Sequence, residues 1–531
     1  MLKLAQNSNA MYKHLIFLFL LISANGFAQQ INRGPYLQVG TSESVVVRWR
    51  TDVAVVGKVN YGTQLSNLNA AATDSVATTE HEIRISGLNP ATKYFYNIGT
   101  TSAVTLSENQ EMFFKTSPLP GTRDSFRFWV IGDFGNGSQG QIDVKNAYLN
   151  YTGATETDAW IWLGDNAYSD GTDLEYQTKV FQVYPNEFKK MIAWPCPGNH
   201  DYGAVHINNN GPYYDILTMP KSGEAGGEPS GTEGYFSFDY GNVHFISLNT
   251  EYLAWVLSNT TAMANWLKAD LARNDKDWTI VFFHQPPYSK GSHDSDDNFG
   301  RMEFMRSNFN PILESYGVDL VLTGHSHGYE RSYMLKGHYG KSTTFDPTTM
   351  IVDDASPFIK YTDGPAVNEG TVYTVVGCSG QLSSSGSMDH PANAISTNSY
   401  RGSLVIDVNG LNLSAKFLTA TDGIKDEFLI RKGSVSENLA NINDAKQQNI
   451  FSVFPNPNRG TFEVKFSQTL TSDGKMTLID AKGSVVKDLY KGRIQSGESK
   501  SFALNDLALG VYFIRIQSAE IAEVVRVFVN N

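Results

Sequence analysis

The stretch "AWIWLGDNAYSDG", residues 159–171, decides the fold. Five apolar residues run without a polar break and stop at Gly164-Asp165, with Tyr168 three positions further on. An unbroken apolar run of this length is the pattern of a strand covered on both faces. Tyr168 is then either an ordinary half-buried loop residue, the usual fate of the 26 tyrosines here, or a side chain delivered to a site. This stretch alone leaves both readings open.

Working outward, the pattern recurs in "FRFWVIGD", "MIAWPCPGNHD", "NVHFISLNT", "WTIVFFH" and "VDLVLTGHSH". Helix-like stretches separate these runs: "GQIDVKNAYLNY", "LEYQTKVFQVYPNEFKKM", "TAMANWLKADLARN" and "RMEFMRSNFNPILESYG". Alternation of this kind predicts a layered α/β domain over residues 124–421. Residues 31–118 differ, with short alternating runs such as "SVVVRWRT", "HEIRISGL" and "KYFYNIGT" that predict a β-sandwich. Residues 422–447 read as a linker, and 448–531 as a small C-terminal β-sandwich opening at "FSVFPNPNRGTFEVKF". A chain of 531 residues is too long for one core, so a multidomain protein is expected.

At the N-terminus, Lys13 and His14 precede the apolar run 15–22, and small residues at Gly26 and Ala28 suit cleavage. Residues 1–28 therefore read as a signal peptide, with translation starting at Met11. The run is shorter than the roughly 20 residues a bilayer span needs, so no membrane span is expected. A net charge of −12 argues against a nucleic-acid or anionic-membrane partner. It leaves phosphorylated substrates open, because a bound cation can dominate the local field. Cys196 and Cys378 are the only cysteines, and both read as small buried hydrophobes although export permits a disulfide.

Residues able to bind metals recur where the apolar runs stop: Asp133, Asp165 with Tyr168, Asn199 with His200, His284, and His325 with His327. Ligands of open α/β sheets bind outside the carboxyl ends of strands, so chain order predicts convergence in one crevice. A lone aspartate after a strand is mostly a cap or turn residue. Five such elements in series are a different matter. Two cations roughly 3.5–4 Å apart can clamp the attacking and leaving oxygens of a phosphoryl transfer, and a bound water becomes the nucleophile near neutral pH. A bridging carboxylate holds the pair, and imidazole and oxygen donors suit iron, zinc and manganese.

The series GD-x-G, GD-x-x-Y, GNH-D, H and GH-x-H closely resembles the purple acid phosphatases, within the calcineurin-like metallophosphoesterases. The resemblance covers residues 31–420 and implies a fibronectin type III-like N-terminal domain and a four-layer αββα catalytic domain. It implies a first metal on Asp133, Tyr168 and His327, a second on Asn199, His284 and His325, and Asp165 as bridge. It implies Fe(III) at the first site, on a tyrosine phenolate that colours the protein. At the second it implies Zn(II), Mn(II) or Fe(II). His200 resembles the family's substrate histidine. His293 matches an outer-sphere histidine of the plant enzymes, which often carry a second one where Asp294 stands here. His206 and His244 match no ligand position and read as structural. The expected reaction is hydrolysis of a small phosphate monoester by a metal-bound hydroxide. A phosphodiesterase or nucleotide pyrophosphohydrolase is the same-fold alternative, and a non-catalytic surface-binding protein the alternative from another class.

The last 80 or so residues, with "FPNPNRG", "IDAKGSVV" and "ALGVYFIRI", resemble the sorting domain of type IX secretion substrates. That implies a partnership with the secretion machinery, export through the periplasm, and a secreted or cell-surface protein.

Overall fold

The computed structural model describes residues 29–529 except 204–208, 252–256, 298–299, 435–450, 457, 471, 481–484, 505–506 and 519–521. The signal-peptide reading, His206 and most of the expected linker lie outside the described residues. The chain forms two compact units, residues 1–432 and 433–531.

The first unit opens with a β-sandwich. One sheet has the strands Ile31–Gln38, Ser44–Val55 and Thr78–Ser86, and the other is built around Gly57–Gly62 and Lys93–Thr100. Alternate residues such as Val45, Val47, Trp49, Ile83 and Ile85 fill the space between the sheets, as period-two strands with one wet face require. This core is continuous with that of the α/β domain.

The α/β domain has two sheets face to face. In the first, strands Ala193–Pro195, Ala159–Trp162 and Ser125–Ile131 run parallel, with Gly402–Asn409 beside them. In the second, Val243–Ser247, Trp278–Phe282, Leu320–Thr323 and Thr371–Val376 run parallel. Aromatic rings interlock between the sheets: Trp194 stacks on Phe238 at 3.7 Å, and Phe128 meets Phe245 edge-on at 5.0 Å. Helix Gln139–Thr152 covers the first sheet, Tyr148 stacking on Trp129 at 4.2 Å. Helix Leu257–Arg273 covers the second through Met263, Leu267 and Leu271. The four layers are thus helix, sheet, sheet, helix. The strands Ala159–Trp162 and Ala193–Pro195 are buried along their whole length, and Ser125–Ile131 from Phe128 onward, which is why each reads as a continuous apolar run.

Two expectations change. The run 174–191 is a helical segment only from Asp173 to Phe181, and Pro185 forbids its continuation. The linker does not begin at residue 422. Gly423–Gly433 is a strand paired along Asn412–Thr419, with Asp426, Phe428 and Ile430 buried in alternation. The charged residues interleaved with them, on the solvent face, disguised its period. Lys432, its penultimate residue, makes a 2.8 Å ion pair to the buried Asp319.

The second unit is a two-sheet β domain of its own. Phe462, Val464, Met476, Leu478, Ile514 and Ile516 form its core. No helix among the described residues is long and apolar enough to cross a membrane.

Candidate metal centre

Parallel pairing sets the register of the strand ends. Trp162 lies beside Ile131 and Phe282 beside Leu322. The hydrogen bonds then continue past the strands: Asp133 N–H donates to Gly164 O at 3.1 Å and Gly324 N–H to His284 O at 2.9 Å. The motif residues leave both sheets at one edge. Three of them turn there through left-handed backbone: Asp133 at φ 55°, Asp165 at φ 50° and His325 at φ 66°. Such conformations cost of order 1–3 kcal/mol each for a non-glycine residue and gather at functional sites. The glycines of the motifs give the room. A Cβ on Gly198 would lie 2.3 Å from an Asp165 carboxylate oxygen, and one on Gly324 2.4 Å from Asp133 Oδ2.

All seven expected ligands come together, in two groups that share Asp165. In one group, Tyr168 Oη lies 3.1 Å from Asp133 Oδ1, 3.2 Å from Asp165 Oδ2 and 3.3 Å from His327 Nε2. In the other, His284 Nε2 lies 3.3 Å from Asp165 Oδ2, 3.2 Å from Asn199 Oδ1 and 3.2 Å from His325 Nδ1. His284 Nδ1 faces the carbonyl of Leu163 at 2.8 Å. A carbonyl can only accept, so Nδ1 carries the proton and the lone pair of a neutral His284 sits on Nε2. Acceptor atoms then face acceptor atoms, an arrangement repulsive without a cation in their midst. This donor set fits metal ions. The ligating atoms of Asp165, His284 and His325 lie within 4.8 Å of one another.

The protonation tendencies of the bare site say the same. Burial would lower His284, yet Asp165 and Asp133 push it up to about 10. Burial, followed by those two carboxylates, drives Tyr168 far above the usual phenol value. Burial would raise Asp165, but His284 and His200 hold it below the usual carboxylate range. Burial and the neighbouring imidazoles push His325 down. The centre thus draws in positive charge, and a bound cation would replace the protons.

His200 stands on the open side. Its backbone N–H donates to Asp165 Oδ1 at 2.8 Å, and its Nδ1 meets Ser169 O at 2.5 Å. That directs Nε2 toward the centre, 3.8 Å from Asp165 Oδ2. The ring of His293 lies 3.9 Å from that of His325. Ser292 Oγ contacts His293 Nδ1 at 3.2 Å and accepts from His327 N–H at 2.9 Å. Asp294 is turned to Lys290, 2.8 Å away. His244 lies in a sheet between Asp239 and Asp270, apart from this cluster. Cys196 and Cys378 are buried and unpaired.

Two residues escaped the sequence reading. Asp201, the last residue of "GNHD", accepts from the N–H groups of Asn166 and Gly198 and from Tyr176 Oη at 2.6 Å. Burial first, and then Asp165, raises it to about 7. It ties the loop of Asp165 to that of Asn199. Gln381 puts its amide nitrogen 3.4 Å from His327 Nε2. It follows the strand Thr371–Val376, parallel neighbour of Leu320–Thr323, so its position in chain order was the available signal.

Residues 126–329 match the calcineurin-like phosphoesterase family, 33–116 the purple acid phosphatase N-terminal domain, and 452–530 the secretion system C-terminal sorting domain. The chain is 27% identical over 349 residues to purple acid phosphatase 23 of Arabidopsis thaliana, covering 56% of this chain and 73% of that protein. It is 26% identical over 356 residues to purple acid phosphatase 1 of Ipomoea batatas, covering 63% and 70%. In fold it is similar to a purple acid phosphatase from yellow lupin (Lupinus luteus) seeds, with a TM-score of 0.59, 17% identity, and 76% of this chain and 75% of that one covered.

Proposed function

With a calcineurin-like phosphoesterase domain behind a purple acid phosphatase N-terminal domain, the chain is a hydrolase of phosphoester bonds, and we propose that it is an exported acid phosphatase acting on phosphate monoesters. One observation carries the reading: two groups of acceptor atoms, delivered from the ends of neighbouring strands, meeting through one shared carboxylate. Asp133, Tyr168 and His327 would hold one ion, Asn199, His284 and His325 the other, and Asp165 both. The phenol of Tyr168, once deprotonated, is a hard anionic donor suited to Fe(III), while the amide and imidazoles of the second group suit Zn(II), Mn(II) or Fe(II). When bound, such a pair supplies positive charge for a phosphoryl group and acidifies water.

The chain's own residues do the rest. His284 is locked in one tautomer by Leu163, and His200 by Ser169. His200 and His293 stand where a phosphate ester enters, each able to meet a phosphoryl oxygen. As a water oxygen gives up a proton and bonds to phosphorus, and the bond to the alcohol oxygen breaks, the protonated form of one of the two histidines gives a proton to the departing alkoxide and recovers one from solvent. The buried walls made by Asp133 and His284 keep bulk water from the far side. The sorting domain marks the chain for export, and we place the enzyme in the medium or on the cell surface.

The test is a paired assay with p-nitrophenyl phosphate and bis(p-nitrophenyl) phosphate, with metal analysis of the same preparation. Two ions per chain and faster monoester turnover are expected. Preference for the diester would make the protein a phosphodiesterase, and no turnover at full metal loading would make it a binding protein.

A further inference from the structure

The segment that follows Tyr168 is gripped by the N-terminal sandwich. Arg50 forks onto the carboxylate of Asp173, with Nη1 to Oδ2 at 2.7 Å and Nη2 to Oδ1 at 2.8 Å. Arg33 adds Nη2 to Asp173 Oδ1 and O, both at 3.1 Å, and Nε to Gln177 Oε1 at 2.8 Å. Gln177 in turn donates to Asn32 O at 2.9 Å. Arg33 is 1% exposed, with its guanidinium 4.9 Å from the ring of Phe181. The same turn is laced back to the metal centre. Glu175 accepts from the N–H groups of Ser169, Asp170 and Thr172. Lys179 donates to the backbone oxygen of Tyr168. Ser169 O is the partner of His200 Nδ1.

We propose that Arg33 and Arg50 are positioning residues of the catalytic centre: through Asp173 and Gln177 the N-terminal domain holds residues 168–179 in the conformation that aims Tyr168 and His200. Arg50 and Asp173 are both partly exposed, and an ion pair of that kind contributes little to stability. A bidentate arginine fork shared by two arginines is instead a directional constraint. Its consequence falls on geometry at the centre more than on folding. Partners of this kind behind metal ligands typically change metal affinity by about 10- to 100-fold. The inference rests on the dimetal reading above.

The test uses the full chain loaded with Fe(III) and Zn(II). The variants are Asp173→Asn and Arg50→Lys, the second keeping the charge while losing the fork. Lys190→Ala, which breaks a different ion pair between the same two domains, to Glu111, is the control. Expected in both variants are a shifted visible absorption band and roughly tenfold faster metal loss to a chelator. Lys190→Ala should match the parent. Gln177→Ala, a milder cut of the same contact, should shift the same readouts less, and it decides the matter if the stronger variants do not fold. A parent that shows the band and holds its metals, with unchanged retention and spectrum in every clamp variant, overturns the clamp and leaves the dimetal reading standing. Equal shifts in Lys190→Ala also overturn it, since domain docking in general would then be the cause. A parent that takes up no metal overturns the reading beneath it.

Discussion

His284 and His244 are both buried, both stand beside aspartates, and both are raised, to about 10 and about 9. Their surroundings differ in one respect. Around His244 every partner is answered. Nδ1 meets Asp239 at 2.7 Å, Nε2 meets Asp270 at 2.8 Å, and Asp270 also accepts from Ser237 Oγ and Glu228 N–H. Lys276 adds a cation 3.4 Å from Asp239. Around His284 the acceptors outnumber the donors, and His325 and Asn199 turn lone pairs toward it. A closed network of charges is a way to hold a fold, whereas an open set of acceptors waits for an ion. The same residue types at similar distances thus serve different ends, and the count of donors against acceptors tells them apart.

The sharpest way to break this contrast is Asp165→Ala. Turnover should fall to the level of a blank reaction, with both ions lost, because the shared carboxylate belongs to both groups. Retained activity at full metal loading would end the mechanism. Asp270→Ala should do the reverse. It leaves His244 Nε2, Ser237 Oγ and Glu228 N–H without a buried partner, which costs about 4 kcal/mol of stability. Urea unfolding would read that loss, while turnover per folded molecule stays at the parental value. Were both variants to lose stability and activity alike, the division between the two clusters would collapse.

How much of this could be read beforehand differs between the same regions. The residues that come together at the centre were legible because each follows an apolar parallel strand, and parallel register brings strand ends to one edge. Gly164, Gly198 and Gly324 belonged to the signal, since only their size lets the loops close around the His284 ring and the carboxylates of Asp165 and Asp133. Asp201 sat in view within "GNHD", but its bonds run to two backbone N–H groups and to the distant Tyr176, which no local pattern announces. The strand Gly423–Gly433 was hidden by Lys425, Glu427 and Arg431, the charged members of an alternating run. The grip of Arg33 and Arg50 on Asp173 joins residues more than 120 positions apart, through the docking of two domains. Local pattern carries no trace of such a contact.

A pH series sharpens the comparison from the side of His244. Its folded value of about 9 lies above the 6.5 of an exposed imidazole. The charged form is therefore stabilised by folding. That contribution is whole below about pH 6.5 and is lost as the pH rises through 9. It amounts to about 3 kcal/mol. In metal-free protein, the stability difference between the parent and His244→Gln should shrink by about that much from pH 6 to pH 10. A difference that stays flat would mean that His244 is neutral in the fold, and the network around it not a charged one.

The smallest effect belongs to Gln381. Its amide stands 3.4 Å from His327 Nε2, at the edge of the centre and outside either group of acceptors. A neutral donor reaching a phosphoryl oxygen contributes about 1 kcal/mol, or roughly fivefold. If it holds the substrate equally well before and during bond cleavage, Gln381→Ala raises KM for p-nitrophenyl phosphate by that factor with kcat unchanged. A fall in kcat at constant KM would instead place the amide against charge that develops only in the transition state. Either result ties Gln381 to the open set of acceptors. No substitution in the closed network of His244 should move KM, because nothing there is left unanswered for a substrate to meet.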